Sequence, residues 1–96
     1  MRRQVRVEFS DPIRLCWEET SQGPRFGIGR CMNLSRNGLG IELNSPIPMR
    51  TAVSFRCERS GLSATATVRY CERRGARYLI GLESSTVLEA KGLQAA

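Results

Sequence analysis

The feature that most constrains the fold is an alternation of apolar and polar residues in six short runs. Successive side chains of a strand point to opposite faces, so this alternation indicates antiparallel strands over one core. The residues that share the apolar parity, and that we expect to form the core, are, run by run, Ile13, Leu15 and Trp17; Phe26, Ile28, Met32 and Leu34; Leu39, Ile41 and Leu43; Val53, Phe55 and Cys57; Leu62, Ala64, Ala66, Val68 and Tyr70; and Tyr78, Ile80 and Leu82.

Turn-forming residues separate these runs. They are Gln22-Gly23-Pro24, Asn37-Gly38, Asn44 to Pro48, Ser60-Gly61 and Arg73-Arg74-Gly75. Six short strands at this spacing predict a small closed or nearly closed antiparallel β-barrel, because closure removes exposed strand edges. After the last run, Thr86 and Glu89 fit a capping box, which predicts a short C-terminal helix at 85–95.

A chain of 96 residues is long enough for one small domain. We expect a single domain over 1–96, with a flexible arginine-rich arm at 1–8, the barrel at 9–84 and the helix at 85–95. Apolar runs all fall short of the ~20 residues that span a bilayer, and the basic start lacks the apolar stretch of a signal peptide. We therefore expect a cytoplasmic protein without membrane insertion.

The sequence offers little to support catalysis or metal binding. It contains no histidine, no CxxC pair, and neither paired carboxylates nor an evident pair of nucleophile and base. Its four cysteines, Cys16, Cys31, Cys57 and Cys71, fall in strand-like runs, where free cysteine commonly serves as a small apolar core residue. We expect no enzyme, no metal site, no cofactor and no disulfide.

The charge of the chain favours a partner that carries phosphate. Fifteen basic residues oppose nine acidic ones, for a net charge of +6, and Lys91 is the only lysine. Arginine presents a flat fork of donors that matches phosphates, guanine edges and base planes. The alternative interpretation is a solvated basic surface. We assign Arg69, Arg73, Arg74 and Arg77 either to that surface or to contacts with a partner.

Two local motifs stand apart from the strand pattern. The first is Arg2-Arg3-Gln4-Val5-Arg6, an RxxxR spacing whose guanidinium groups can converge on phosphates; the alternative is a solvated tail. The second is the segment from Asn33 to Gly38. If Met32 and Leu34 point into the core, Asn33 and Ser35 point outward together, followed by a glycine free to adopt a positive φ. The alternative is a hairpin turn in which Asn33 and Ser35 only hydrogen-bond the loop.

The pair of motifs, RxxxR followed by (D/N)xSxxG with 26 residues between them, resembles the PilZ family of cyclic diguanylate (cyclic di-GMP) receptors. The similarity extends over essentially the whole chain, through 39–43 and 78–83, and implies a six-stranded barrel with a short C-terminal helix. It implies that Arg2 and Arg6 clamp phosphate and guanine groups, with Arg3 stacking or adding charge. It further implies that Asn33 and Ser35 meet a guanine edge and that Gly38 shapes the loop.

One departure from the family pattern bears on affinity. Asn33 replaces the aspartate of many members, so guanine N1–H and N2–H would share one acceptor oxygen instead of two. We therefore expect weaker binding than an aspartate would give. An aromatic side chain in relatives often stands where Tyr70 does, although its parity assigns Tyr70 to the core.

Two other functions remain open at this stage. One is a PilZ-fold adaptor that does not bind the nucleotide; the other is a small basic barrel that binds nucleic acid non-specifically. Exposed aromatic side chains usually accompany the second function. Five of the six aromatic residues share core parity, which disfavours it. For the receptor, the implied output is a changed surface for an effector protein.

Overall fold

The alternating runs form six antiparallel strands that close into a barrel in the computed structural model, which describes residues 7–19 and 23–88. The strands are β1 (Val7–Glu19), β2 (Gly23–Leu34), β3 (Gly38–Leu43), β4 (Ala52–Cys57), β5 (Ser63–Arg74) and β6 (Arg77–Glu83). Their spatial order is β1-β2-β3-β6-β5-β4, and β4 pairs with β1 to close the circle. The predicted six-stranded antiparallel barrel is confirmed.

The two ends of the chain extend beyond the described residues. Strand β1 begins at Val7, two residues inside the predicted arm at 1–8, and residues 1–6 lie outside the described part. Residues 84–88 follow β6 and are not helical. The rest of the predicted helix at 85–95 lies outside the described part of the chain. Among the described residues there is no helix long and apolar enough to cross a membrane.

The interior of the barrel contains most of the predicted core. Ile13, Ile41, Val53, Val68 and Ile80 are at most 1% exposed, as expected from their alternation. Ile47, which lies between two prolines outside any strand, is also buried and adds to this core. Because one face of each strand is apolar, burial of that face fixes the register of the whole sheet.

The predicted core residues of β2 are partly wrong. Phe26 and Ile28 are 75% and 71% exposed, and the inward positions between them and after them are Gly27 and Gly29. A Cβ atom on Gly29 would overlap the carbonyl oxygen of Glu42. The barrel wall is therefore closely packed at a position where only glycine fits, and the larger side chains of the run point to solvent.

A second correction concerns Tyr70, which is 48% exposed although its parity predicts burial. Val68 pairs with Leu82 and Tyr70 pairs with Gly81, so Arg69 is an extra residue in β5. A one-residue bulge moves every later side chain to the opposite face. Tyr70 consequently points outward, and Cys71, paired with Ile80, points toward the core.

All four cysteines are free thiols. Cys31 and Cys57 are fully buried in the core, whereas Cys16 and Cys71 are half-buried. The hydrogen bond to Cys57 and burial both raise the pKa of the Cys31 thiol, so Cys31 stays protonated at neutral pH. Residues 7–19 and 23–88 contain no cluster of side chains suited to hold a metal ion.

A buried carboxylate fixes the turn between β4 and β5. Asp11 is 1% exposed and accepts hydrogen bonds from the backbone amides of Arg59 and Ser60, at 2.7 and 3.1 Å. Because these bonds satisfy the buried charge, Asp11 has a structural role at this turn.

Candidate functional site

Four cross-strand neighbours form a row on the outer surface of the barrel. Asn33 of β2 pairs with Gly40 of β3, Gly40 pairs with Gly81 of β6, and Gly81 pairs with Tyr70 of β5. Two bulges create this row: the one at Arg69 turns Tyr70 outward, and one in β2 between Cys31 and Asn33 sets the register of Asn33 against Gly40.

The two glycines form the floor of a depression of about 380 Å³. A Cβ atom on Gly40 would lie 2.9 Å from Oδ1 of Asn33, and one on Gly81 would overlap the ring of Tyr70. The amide of Asn33 and the ring of Tyr70 thus lie against the glycine backbone from opposite sides. Other residues that line the depression are Ser35, Asn37, Gly38, Leu39, Arg69, Leu82 and Glu83.

The loop that follows Asn33 is closed by Ser35. Its backbone amide and its hydroxyl both donate to the carbonyl oxygen of Gly38, at 2.8 and 3.3 Å. This contact agrees with the hairpin interpretation of the motif, and it leaves the lone pairs of the Ser35 hydroxyl free to accept a further hydrogen bond.

The predicted reason for a glycine at position 38 is wrong. Gly38 does not adopt a positive φ, which among the described glycines occurs at Gly23, Gly61 and Gly75. A Cβ atom on Gly38 would instead lie 2.8 Å from the carbonyl oxygen of Leu82. Glycine is required here because β3 and β6 approach each other closely. Its lack of a side chain also leaves this side of the depression open.

The segment after β6 forms hydrogen bonds to the loop between β2 and β3. The amide of Ser84 donates to the carbonyl of Asn37 at 2.7 Å, and the Asn37 side chain donates to the carbonyl of Thr86 at 3.1 Å. The amide of Leu88 donates to the carbonyl of Arg36 at 2.9 Å. Asn37 therefore anchors the loop through its side chain and positions Ser35 and Gly38.

Charged side chains border the depression at one edge. The Arg69 guanidinium forms an ion pair with Glu83, and both side chains are at least half exposed. Tyr70 and Arg69 are the two site residues that the alternation assigned elsewhere, to the core and to the general surface. Only the bulge, which strict period-2 counting does not detect, turns Tyr70 to this face, to which Arg69 points by simple alternation.

The arginines of the RxxxR motif, Arg2, Arg3 and Arg6, lie outside the described residues. The first described residue, Val7, pairs with Leu34, which stands between Asn33 and Ser35 in β2 and its loop. Strand β1 therefore begins beside the (D/N)xSxxG segment, and Arg6 is the residue that immediately precedes Val7 in the sequence.

A larger depression, of about 750 Å³, shares no residue with the first. It lies between the end of β1 and the start of β4, where Trp17, Pro24 and Pro48 are among its lining residues. Its ionisable lining groups are Glu18, Glu19 and the Cys16 thiol. Carboxylates repel an anionic ligand, so this depression does not suit a phosphate-bearing molecule.

Comparison with known proteins identifies the family of the chain. A sequence profile of the PilZ domain matches residues 1–94, nearly the whole chain, while comparison with curated proteins gives no significant match. The barrel, the (D/N)xSxxG loop on its surface and the profile match lead to one conclusion: the chain belongs to the PilZ domain family, which comprises cyclic di-GMP receptors and adaptors rather than enzymes.

Proposed function

We propose that this chain is a cyclic di-GMP receptor in which one guanine of the ligand occupies the depression between Asn33 and Tyr70. The observation that carries the proposal is the row Asn33–Gly40–Gly81–Tyr70, near which Val7, the residue that follows the RxxxR motif in the sequence, pairs with Leu34. A depression of about 380 Å³ is within the size range of small-molecule sites, roughly 300–1,000 Å³.

The side chains of the row suit a purine base. The half-exposed Tyr70 ring offers a face for stacking, which contributes about 1–3 kcal/mol per base in nucleic-acid complexes. Asn33 supplies an amide oxygen for the N–H groups of the guanine edge, and the Ser35 hydroxyl supplies a second acceptor. Because Gly40 and Gly81 carry no side chains, the Asn33 amide and the Tyr70 ring lie close to the backbone, and both line the depression.

The phosphates of the ligand are assigned to arginine. Arg2, Arg3 and Arg6 precede the β1 residue that pairs with Leu34, so they are close in sequence to the site. Each charge-assisted hydrogen bond contributes about 1.5–3 kcal/mol, and micromolar affinity needs about 8 kcal/mol. A few such contacts together with one stacked base therefore account for micromolar binding.

Closure of the N-terminal arm over the ligand is the proposed output. Ordering the arm costs about 1–2 kcal/mol per residue in backbone entropy, which the contacts with the ligand must exceed for the arm to close. A closed arm would cover part of the barrel and present a changed surface to an effector protein.

Isothermal titration of the chain with cyclic di-GMP, with GTP and linear diguanylate as control ligands, tests the proposal. We expect saturable heat with the cyclic ligand only. Arg6→Ala and Ser35→Ala should each weaken binding strongly, whereas Arg59→Ala and Ser63→Ala, exposed positions outside the depression, should not. If no heat is observed up to high micromolar cyclic di-GMP, the chain is not a receptor for this ligand. If both site variants bind with the affinity of the original chain, the ligand does not bind at the proposed site.

A further inference from the structure

The outward face of β2 carries two large apolar side chains far from any role in the core. Phe26 and Ile28 are 75% and 71% exposed, and they lie two residues apart on the same face of the strand. The residues across from them on β1 are Cys16 and Arg14, neither of which covers them. Exposed apolar side chains grouped in this way usually belong to a binding surface.

The strand that carries these side chains also has an open edge. Strand β2 pairs with β1 along its whole length, from Gly23 to Leu34, but β3 joins it only from Arg30 onward. Within the described residues, the edge of β2 over 24–28 therefore has no neighbouring strand. Such an edge presents alternate unpaired amides and carbonyls, which serve as a template for an added strand.

A basic notch continues the line of the open edge. It has a volume of about 200 Å³ and is lined by two arginines, Arg30 and Arg77, by one carboxylate, Glu42, and by apolar and neutral residues that include Ile28 and Asn44. Arg30 donates to the hydroxyl of Ser10 at 2.7 Å, and its charge has no carboxylate partner among the described residues, whereas Arg77 pairs with Glu42 at 3.1 Å. A carboxylate placed in the notch would meet the charge of Arg30.

These features disfavour a second copy of this chain as the occupant. In a self-paired edge, the outward residues of the added strand would again be Phe26, Ile28 and Arg30. Such a strand offers no carboxylate to Arg30, and it belongs to a chain whose net charge is already +6, so charge repulsion opposes its approach.

We propose that the edge of β2 at 24–28 binds an extended, acidic segment of a partner protein by strand addition. The segment would place apolar residues at positions i and i+2 beside Phe26 and Ile28. The segment would leave the edge where Glu42 of β3 pairs with Arg30, and an Asp or Glu two residues further along it would reach the notch at Arg30. This binding surface is independent of nucleotide binding, because none of its residues lines the Asn33–Tyr70 depression.

Selection from a phage-displayed library of random peptides tests the proposal. The intact chain serves as the target, and the double variant Phe26→Ser/Ile28→Ser is used for counter-selection. Because both side chains are mostly exposed, the variant should fold and keep the thermal midpoint of the original chain. We expect enriched peptides with two apolar residues at i and i+2, and an acidic residue two positions before or after them.

Fluorescence anisotropy with a synthetic enriched peptide provides the second measurement. The double variant should bind it about tenfold more weakly or worse, as for loss of central interface residues. Arg30→Glu should also weaken binding, and Met49→Ser, which removes an exposed apolar side chain outside this surface, should leave it unchanged. A peptide methylated on alternate backbone nitrogens should not bind, since it cannot pair as a strand.

Four outcomes would overturn the proposal. They are no enrichment over the double variant, enrichment of basic peptides or of apolar residues at helical spacing, and equal binding of the N-methylated peptide. The fourth is a dimer in sedimentation experiments that Phe26→Ser/Ile28→Ser dissociates, which would assign the surface to a second copy of the chain.

Discussion

At the scale of single residues, the depression depends on two glycines, which have no side chain, as well as on the side chains that line it. Gly40 and Gly81 leave room for the Asn33 amide and the Tyr70 ring to lie against the backbone. These two groups differ in chemistry: one hydrogen-bonds to the edge of a base, and the other stacks on its face. Substitutions at the two positions should therefore change nucleotide binding in distinguishable ways.

Removal of the Tyr70 ring should weaken cyclic di-GMP binding. Tyr70→Ala loses a stacking contact of about 1–3 kcal/mol, which corresponds to a loss of roughly 5- to 150-fold in affinity, measured by titration calorimetry. Tyr70→Phe keeps the ring and should bind within about threefold of the original chain. Phe26→Ala removes a more exposed aromatic outside the depression and should have no effect. Wild-type affinity in Tyr70→Ala would place the base elsewhere.

Replacement of the Asn33 amide by a carboxylate should strengthen binding. Asn33→Asp provides two acceptor oxygens to the guanine N–H groups, and hydrogen bonds to a charged group are stronger than neutral ones by about 1 kcal/mol, a gain of roughly fivefold. The comparison is best made by titrating both forms at the same pH, near neutrality, where the aspartate is ionised. Unchanged or weaker binding of the aspartate form would mean that position 33 does not face the guanine edge.

At the scale of the strands, period-2 alternation correctly predicted the number of strands, their antiparallel barrel and most of the core. It failed where the chain departs from strict alternation or where glycine occupies the inner face. The bulge at Arg69 reversed the face of Tyr70, and the inward Gly27 and Gly29 left Phe26 and Ile28 to solvent. Neither feature is visible in hydrophobicity alone. The depression was thus predictable in its polar half, at Asn33 and Ser35, but its aromatic half was not.

The close approach of β2 to Glu42 predicts an unequal effect of two neighbouring glycine substitutions. Gly29→Ala would push a methyl group into the carbonyl oxygen of Glu42, so the strands must separate, and we expect a loss of about 1–3 kcal/mol in unfolding free energy. Gly27→Ala would meet only the edge of the Trp17 ring, at 3.2 Å, and should be milder. Guanidinium unfolding followed by Trp17 fluorescence measures both. Equal midpoints for the two variants would contradict this account of the barrel wall.

At the scale of the whole molecule, one long strand connects two proposed binding surfaces. Asn33 lies near the end of β2, and Phe26 lies seven residues earlier, about 23 Å away at ~3.3 Å per residue. Phe26 and Tyr70, the two exposed aromatics among the described side chains, thus lie on separate surfaces, which does not suit the continuous stacking platform of a single-strand binder. A nucleotide at one end and a protein segment at the other can occupy the barrel together.

Removal of residues 1–6 should weaken nucleotide binding and leave the stability of the fold nearly unchanged. The described strand pairs close the barrel from Val7 onward, with β1 joined to both β2 and β4. A chain that begins with Met followed by Val7 should therefore unfold within about 0.5 kcal/mol of the full chain, as for changes away from buried contacts. Because it lacks Arg2, Arg3 and Arg6, it should lose about a hundredfold or more in affinity for cyclic di-GMP, at roughly 1.5–3 kcal/mol per charged contact.

The triple variant Arg2→Ser/Arg3→Ser/Arg6→Ser keeps the length of the arm and should lose as much, since the proposal assigns the affinity to the guanidinium groups. Retention of binding by either chain would move the phosphate contacts to arginines of the barrel itself, of which Arg69, at the rim of the depression, is the nearest candidate.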